Sequence, residues 1–231
     1  MNPALHELLR HPGVWRAAES ASAGPTLPTG FGRLDGRIGG GWPRDTLVEL
    51  LLPSPGIGEF RLLLPALRGL CAGEPGAPRR WVAWIDPPHL PYAPALAGAG
   101  LDPAQMLIVR SRGHSLRSFP GEQGQSAFPA QAKNEGNVPC SAWATEQALR
   151  SRACAAALAW ADATDDRALR RLKLAAEEGG SLGVLFRPLR CARDPSPAAL
   201  RLALEPRGDG GLDVVVLKGR GSTPGRIEGL L

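Results

Sequence analysis

The sequence predicts an α/β protein: a mostly parallel sheet flanked by helices, closing in a C-terminal antiparallel hairpin. Three observations point there. Short, nearly continuous apolar runs at 47–52, 81–86, 106–110, 154–160 and 182–187 read as strands buried on both faces. Helical patterns separate several of these runs, and strands alternating with helices build parallel sheets. The last two runs, near 199–205 and 211–217, are joined by Pro206-Arg207-Gly208-Asp209-Gly210-Gly211, a strong hairpin turn.

Taken in order, residues 3–18 carry helical spacing broken by Pro12-Gly13, so a short helix through about Arg10 and a second turn holding Val14-Trp15-Arg16 are expected. A Ser/Ala/Gly/Pro stretch at 19–28 has the composition of a flexible linker. It sets an N-terminal segment, 1–28, apart from a core domain, 29–231. From Thr29 to Asp45 the chain is dense in glycine, centred on Gly39-Gly40-Gly41-Trp42-Pro43. Strand 47–52 then leads through a Pro/Gly turn into a helix over roughly 58–72, which Pro65 is expected to kink or to end in its first part. Residues 111–141 mix Gly, Ser, Gln, Pro and Asn with no apolar period. So long a stretch without structure is uncommon inside a compact domain, and a disordered surface insertion is expected. Ala142 to Arg152 reads as a helix. Asp165 to Glu178 is an amphipathic helix with Leu169, Leu172 and Ala176 on one face, ended by Gly179-Gly180.

With 231 residues and 43% hydrophobic content the chain can build a real core. No apolar run reaches the ~18 residues of a membrane-spanning helix, and the first residues lack the basic and apolar regions of a signal peptide, so a cytoplasmic protein is expected. Cys71, Cys140, Cys154 and Cys191 are far apart and form no C-x-x-C pair. They read as small core residues rather than as a zinc site or disulfides, and no metal or other cofactor is expected. Net charge is +5, carried almost wholly by Arg, since Lys occurs only at 133, 173 and 218. Such a balance permits nucleic-acid contact. An Arg preference in a chain rich in Ala, Gly and Pro equally reflects genomic base composition.

The segment Leu47 to Arg61 has the strand–loop–helix frame of a phosphate-binding loop without its phosphate-binding residues. A working loop supplies a Lys to the β- and γ-phosphates and a Ser/Thr to Mg²⁺. Here Gly58-Glu59-Phe60 stands in that place, leaving Gly56, Gly58 and Glu59 as a vestigial loop, and no Lys occurs between Met1 and Pro129. A carboxylate about 4 Å from a phosphate costs on the order of 4 kcal/mol per charge pair at an effective dielectric near 20. A helix N-terminus returns only about 0.3–1 kcal/mol.

Other polar residues read as structural. Asp86, at a strand C-terminus, has prolines for neighbours and suits a turn; His89 is isolated. Asp162, Asp165 and Asp166 suit a solvated turn capping the helix that starts near Asp165, and Glu177-Glu178 a surface pair. Trp42, Trp81, Trp84, Trp143 and Trp160 are expected in the core. Val14, Trp15 and Arg16 form an aromatic/Arg set of the kind that anchors a partner. Lys218, Arg220 and Arg226, on a Gly/Pro-rich tail, are candidate contacts to DNA phosphates.

The ordered motifs resemble the RecA core fold. Leu27-Pro28-Thr29-Gly30-Phe31-Gly32-Arg33-Leu34-Asp35 followed by Gly39-Gly40-Gly41-Trp42-Pro43-Arg44 is similar to that family's lead-in to its loop. Trp84-Ile85-Asp86-Pro87-Pro88-His89 stands where the family has an Ile-Asp-x-Glu-His strand end, and Thr145-Glu146-Gln147-Ala148-Leu149 resembles the helix before the Walker B strand. Within the superfamily the chain resembles the ImuA family, the RecA-like, SulA-like accessory proteins of bacterial translesion synthesis. Arg10-His11-Pro12-Gly13-Val14-Trp15-Arg16, Gly56-Ile57-Gly58-Glu59, Ala159-Trp160-Ala161 and Leu217-Lys218-Gly219-Arg220-Gly221 all fit it. The resemblance covers most of 5–228 except 111–141.

Mapped onto this chain, the resemblance implies a missing catalytic apparatus. The loop Lys falls on Gly58 or Glu59, the Mg²⁺-binding Thr on Glu59 or Phe60, and the water-activating Glu on Pro88. The Walker B acid falls near Trp160, and the polar sensor on Phe186-Arg187-Pro188. The implied function is a non-catalytic adaptor in SOS-induced, error-prone repair. Its implied partners are an ImuB-like Y-family polymerase homologue and an error-prone DNA polymerase III alpha-type subunit, with RecA or DNA as further contacts. A SulA-type inhibitor of a tubulin-like division protein and a DNA-dependent ATPase with an unorthodox site are the alternatives.

Overall fold

The computed structural model describes residues 25–73, 78–110, 140–161, 164–219 and 221–231. Eight strands form one sheet in the order β10-β9-β8-β3-β7-β6-β4-β5. These are β3 (Leu47–Leu52), β4 (Trp81–Ile85), β5 (Met106–Val109), β6 (Cys154–Trp160), β7 (Leu182–Pro188), β8 (Leu200–Pro206), β9 (Leu212–Gly219) and β10 (Gly225–Ile227). Pairings from β8 across to β5 are parallel; β8–β9 and β9–β10 are antiparallel. The expected α/β architecture, a mostly parallel sheet with a C-terminal antiparallel hairpin, is what the chain adopts.

All six residues of β3 are buried, because this strand has neighbours on both edges and helices on both faces. Val48, Leu50 and Leu52 face α2 (Glu59–Ala72), packing with Leu62, Leu63, Ala66 and Leu67. Leu47 points the other way, into a cluster with Leu149 of α4 (Cys140–Arg150) and Leu169, Leu172 and Ala176 of α5 (Asp166–Gly179). The alternation is the period-2 geometry of a strand covered on both sides. The α4–α5 pair closes tightly: a Cβ on Gly179 would run into the Leu149 carbonyl oxygen, so only glycine allows this approach. Helix α5 starts as expected, with the Asp165 carboxylate accepting the Ala168 N–H, and ends at Gly180 in the left-handed region, φ 58°.

Several expectations are corrected. Pro65 does not end its helix; α2 runs continuously from Glu59 to Ala72. Its ring lies against Gly30, where a Cβ would approach the Pro65 Cγ to 2.8 Å, so packing holds the helix where local propensity opposes it. Thr26 and Leu27, at the end of the expected linker, form β1 and pair with β2 (Trp42–Pro43). The glycine-dense stretch contains a short helix, α1 (Gly32–Arg37), with Asp35 Oδ1 accepting the Thr29 N–H at 2.9 Å. A further short helix, α3 (Ala93–Gly98), follows β4. Helix α4 begins at Cys140, inside the stretch read as insertion; residues 111–139, like 1–24, lie outside the described residues. The tail is not wholly a tail, since 225–227 add β10 to β9. Trp42, Trp84 and Trp160 are core residues, but Trp81 is 44% and Trp143 53% exposed. Trp81 opens its strand, and Trp143 lies on the first turn of α4.

Cys71, Cys154 and Cys191 are buried free thiols, each held above its ordinary pKa chiefly by burial. Among the described residues no helix is long and apolar enough to cross a membrane.

Candidate functional site

The loop between β3 and α2 folds as the sequence frame demands. Gly56 and Gly58 take positive φ, 90° and 101°, which the tight turn into the helix requires. Its chemistry is inverted, however. Glu59, the first residue of α2, turns its carboxylate back so that Oε1 accepts the Gly56 N–H at 2.8 Å. A side-chain carboxyl of the protein itself therefore sits on the loop. Glu59 is buried, and its Oε2 has no hydrogen-bond partner among the described residues. The carboxylate expected from the sequence to repel a phosphate is the group that accepts from this loop amide.

Beside the loop a depression of about 340 Å³ is lined by Gly56, Ile57, Gly58, Arg61, Pro206 and Arg207. Arg207 is committed within the β8–β9 hairpin, to Asp209 at 3.2 Å and Asp213 at 3.4 Å.

Phe60, Trp160 and Phe186, three of the positions onto which the resemblance maps catalytic groups, join Trp84 in a row of rings. Phe60 lies 4.7 Å (centroid to centroid) from Trp84, Trp84 5.9 Å from Trp160, and Trp160 4.5 Å from Phe186. These four side chains come from the start of α2, from β4, from β6 and from β7. They stand at or near the C-terminal ends of neighbouring parallel strands, where open α/β sheets place their ligands. The last two rings stack at 19°. Aromatic pairs of this kind contribute about 0.5–1.5 kcal/mol beyond their buried area. Phe186, Trp84 and Trp160 are buried, and the indole N–H groups of both tryptophans have no acceptor among the described residues. The sequence named three of these positions as substitutions; their assembly into one stack follows only from the strand order.

Asp86 terminates β4 at φ 49°, buried, with its backbone N–H donating to the Val109 carbonyl, in keeping with a turn role. His89 is exposed. Asp165 caps α5 and Asp166 pairs with Arg170 at 2.6 Å; Asp162 lies outside the described residues. No group of three or more potential ligands for a metal ion occurs among the described residues. Glu178 pairs with Arg150 at 2.7 Å and Glu177 with Lys173 at 3.7 Å, both on the surface.

Of the residues expected to contact partners, Val14, Trp15, Arg16 and Arg220 lie outside the described residues. Lys218, on β9, donates to the Ser196 carbonyl at 2.7 Å. Arg226, on β10, is bound to Asp213 at 2.9 Å and to Glu205, and these carboxylates raise it above its ordinary pKa. Lys218 and Arg226 thus sit in different surroundings and do not form one patch.

Sequence reasoning missed a buried ionic cluster on the opposite face of β3. Glu49 accepts from Arg187 at 3.0 Å, from the Ser196 hydroxyl at 2.9 Å and from Arg201 at 2.7 Å. Arg201 also donates to the carbonyls of Cys191 and Asp194. The available signal was an acid inside an otherwise aliphatic strand, Leu-Val-Glu-Leu-Leu-Leu, which demands a buried cationic partner.

No protein-family model matches the chain, and no curated protein matches it either. Among solved structures, the crystal structure of SulA from Pseudomonas aeruginosa matches 61% of this chain and 97% of that one, at 22% identity and a TM-score of 0.40.

Proposed function

We propose that this chain is a non-catalytic, RecA-like accessory protein that serves error-prone translesion DNA synthesis as an adaptor, as its resemblance to the ImuA family implies. The observation that carries the non-catalytic part is the Glu59 carboxylate seated on the Gly56 N–H. Binding a triphosphate there requires breaking that contact and bringing like charges together at a helix start. The ring stack adds a second obstacle, because a metal-bound phosphate needs polar ligands where Phe60 and Trp160 present apolar faces. With such a site the faces of the domain remain available for partners while no nucleotide gates them. The partners are the ImuB-like Y-family polymerase homologue and the alpha-type polymerase subunit, with RecA or DNA as further contacts.

The test has two arms. Titration calorimetry of the purified chain with MgATP should give no binding heat, and tight magnesium-dependent affinity overturns the non-catalytic reading in favour of a DNA-dependent ATPase. Pull-down with the purified polymerase homologue should give a complex. Capture of a tubulin-like division protein instead assigns the SulA-type role.

A further inference from the structure

The two lysines of the described residues converge on one cavity, although twenty-four of the chain's twenty-seven cationic side chains are Arg. The cavity, about 510 Å³, lies at the end of the sheet opposite the loop, where β3 and β8 begin. Lys173 reaches it from α5, Lys218 from the end of β9, and Arg44 from the turn entering β3. Ile38, Leu200 and Pro197 give it apolar wall. Its volume falls within the range of small-molecule pockets.

The charges are arranged for an anion. Arg44 is exposed, and its guanidinium has no partner among the described residues. Lys218, which donates to the Ser196 carbonyl at 2.7 Å, is held below its ordinary pKa first by burial and then by its cationic neighbours Arg201 and Lys173, with Glu49 acting in the opposite direction. Two carboxylates, Asp45 and Glu177, also line the cavity. Glu177 is 3.7 Å from Lys173, and Asp45 is held in the left-handed region at φ 54°. Three cations against two anions leave a positive balance with one guanidinium unengaged.

We infer that this cavity is a binding site for a nucleotide phosphate, its phosphoryl group taken by Arg44, Lys173 and Lys218 and its apolar body lying along Ile38, Pro197 and Leu200. The phosphate comes either from a free nucleotide or from the end of a nucleic-acid strand; the chemistry of capture is the same. The site is separate from the loop and does not rest on the adaptor reading.

Calorimetry on the full chain at low salt would use three probes: thymidine 5′-monophosphate, a 5′-phosphorylated oligothymidylate and unphosphorylated thymidine. Both phosphorylated probes, or one of them, should bind, and thymidine should not; which one binds identifies the source. Lys173→Gln, Lys218→Gln and Arg44→Gln should each weaken binding by about tenfold, the size of a lost charge-assisted hydrogen bond. Arg61→Gln, beside the loop, should leave it unchanged. Bound ligand should also protect Lys173 and Lys218, but not Lys133, from an amine-reactive reagent read by mass spectrometry, a measurement independent of any variant's folding. Absence of binding by both phosphorylated probes, equal binding of thymidine, unprotected lysines, or loss of binding in Arg61→Gln overturns the inference.

Discussion

Glu49 on β3 and Arg201 on β8 stand directly opposite one another in parallel register, joined by an Nε–Oε2 hydrogen bond of 2.7 Å with both side chains buried. Arg187 completes the cluster from β7, so a single carboxylate links three adjacent strands. Glu49→Ala takes the shared carboxylate from two buried guanidinium groups, leaving Arg187 only the more distant Asp194 at 3.9 Å, and should cost about 3–5 kcal/mol in urea unfolding. Replacing Glu49, Arg187 and Arg201 together with apolar residues of similar volume should cost far less, since the desolvation of all three charges disappears with them. A Glu49→Ala loss below about 1 kcal/mol contradicts this account.

The ring stack should behave as core and not as an empty pocket. Trp160→Ala removes the central contact between Trp84 and Phe186 and should destabilise by about 3–5 kcal/mol in the same urea unfolding. Trp160→Asp, which places an acid near where the resemblance maps the Walker B carboxylate, should be at least as damaging and should confer no ATP hydrolysis, because Glu59 still holds the loop. Phosphate release by that variant would show that the pocket is intact beneath the rings.

Gly179→Ala isolates packing from chemistry. The helical backbone tolerates alanine, but the added methyl meets the Leu149 carbonyl, a backbone atom that cannot swing aside. A loss of roughly 1–3 kcal/mol or more is expected from overpacking, despite alanine's better helix propensity. The neighbouring Gly180→Ala, at φ 58°, should also destabilise, through backbone strain.

Acid should loosen the C-terminal segment first. The Gly229 N–H, then the Arg226 guanidinium, hold the Asp213 carboxyl below its ordinary pKa. For a depressed carboxylate the folded state binds fewer protons than the unfolded one. The contribution is therefore complete above the ordinary value near ~3.9 and is lost as pH falls through the lower folded value. Exchange of the Gly229 amide, followed by NMR, should accelerate across that window. In Asp213→Asn it should be fast at all pH values and lose its acid dependence.

Much of this architecture is legible in the sequence because parallel strands covered on both faces must be continuously apolar. Leu47–Leu52, Cys154–Trp160 and Leu182–Pro188 announce themselves in that way, as does α5 through its apolar stripe and closing glycines. Gly225–Ile227 does not: three residues in a Gly/Pro-rich context have no strand signal, and only β9 makes them one. The loop's missing Lys was readable, but the fate of Glu59 was not, since a side chain turning back onto Gly56 is decided by rotamer and not by composition. Glu49 and its arginines are separated by 138 and 152 positions, a distance no local pattern spans. Trp81 and Trp143 were misplaced because aromatic content reports burial only on average.

The central strand is made early and completed late. Leu47 pairs with Gly183, roughly 135 residues further along the chain, so at ribosomal rates of ~5–20 residues per second β3 waits on the order of ten seconds for that neighbour. During that interval an aliphatic hexapeptide with two open edges is an invitation to aggregate. The ionised Glu49 in its middle keeps the nascent segment hydrated and makes mispairing with another chain costly. When β7 and β8 emerge they bring Arg187 and Arg201, and the charge that guarded the unfinished strand becomes the clasp that fixes its register.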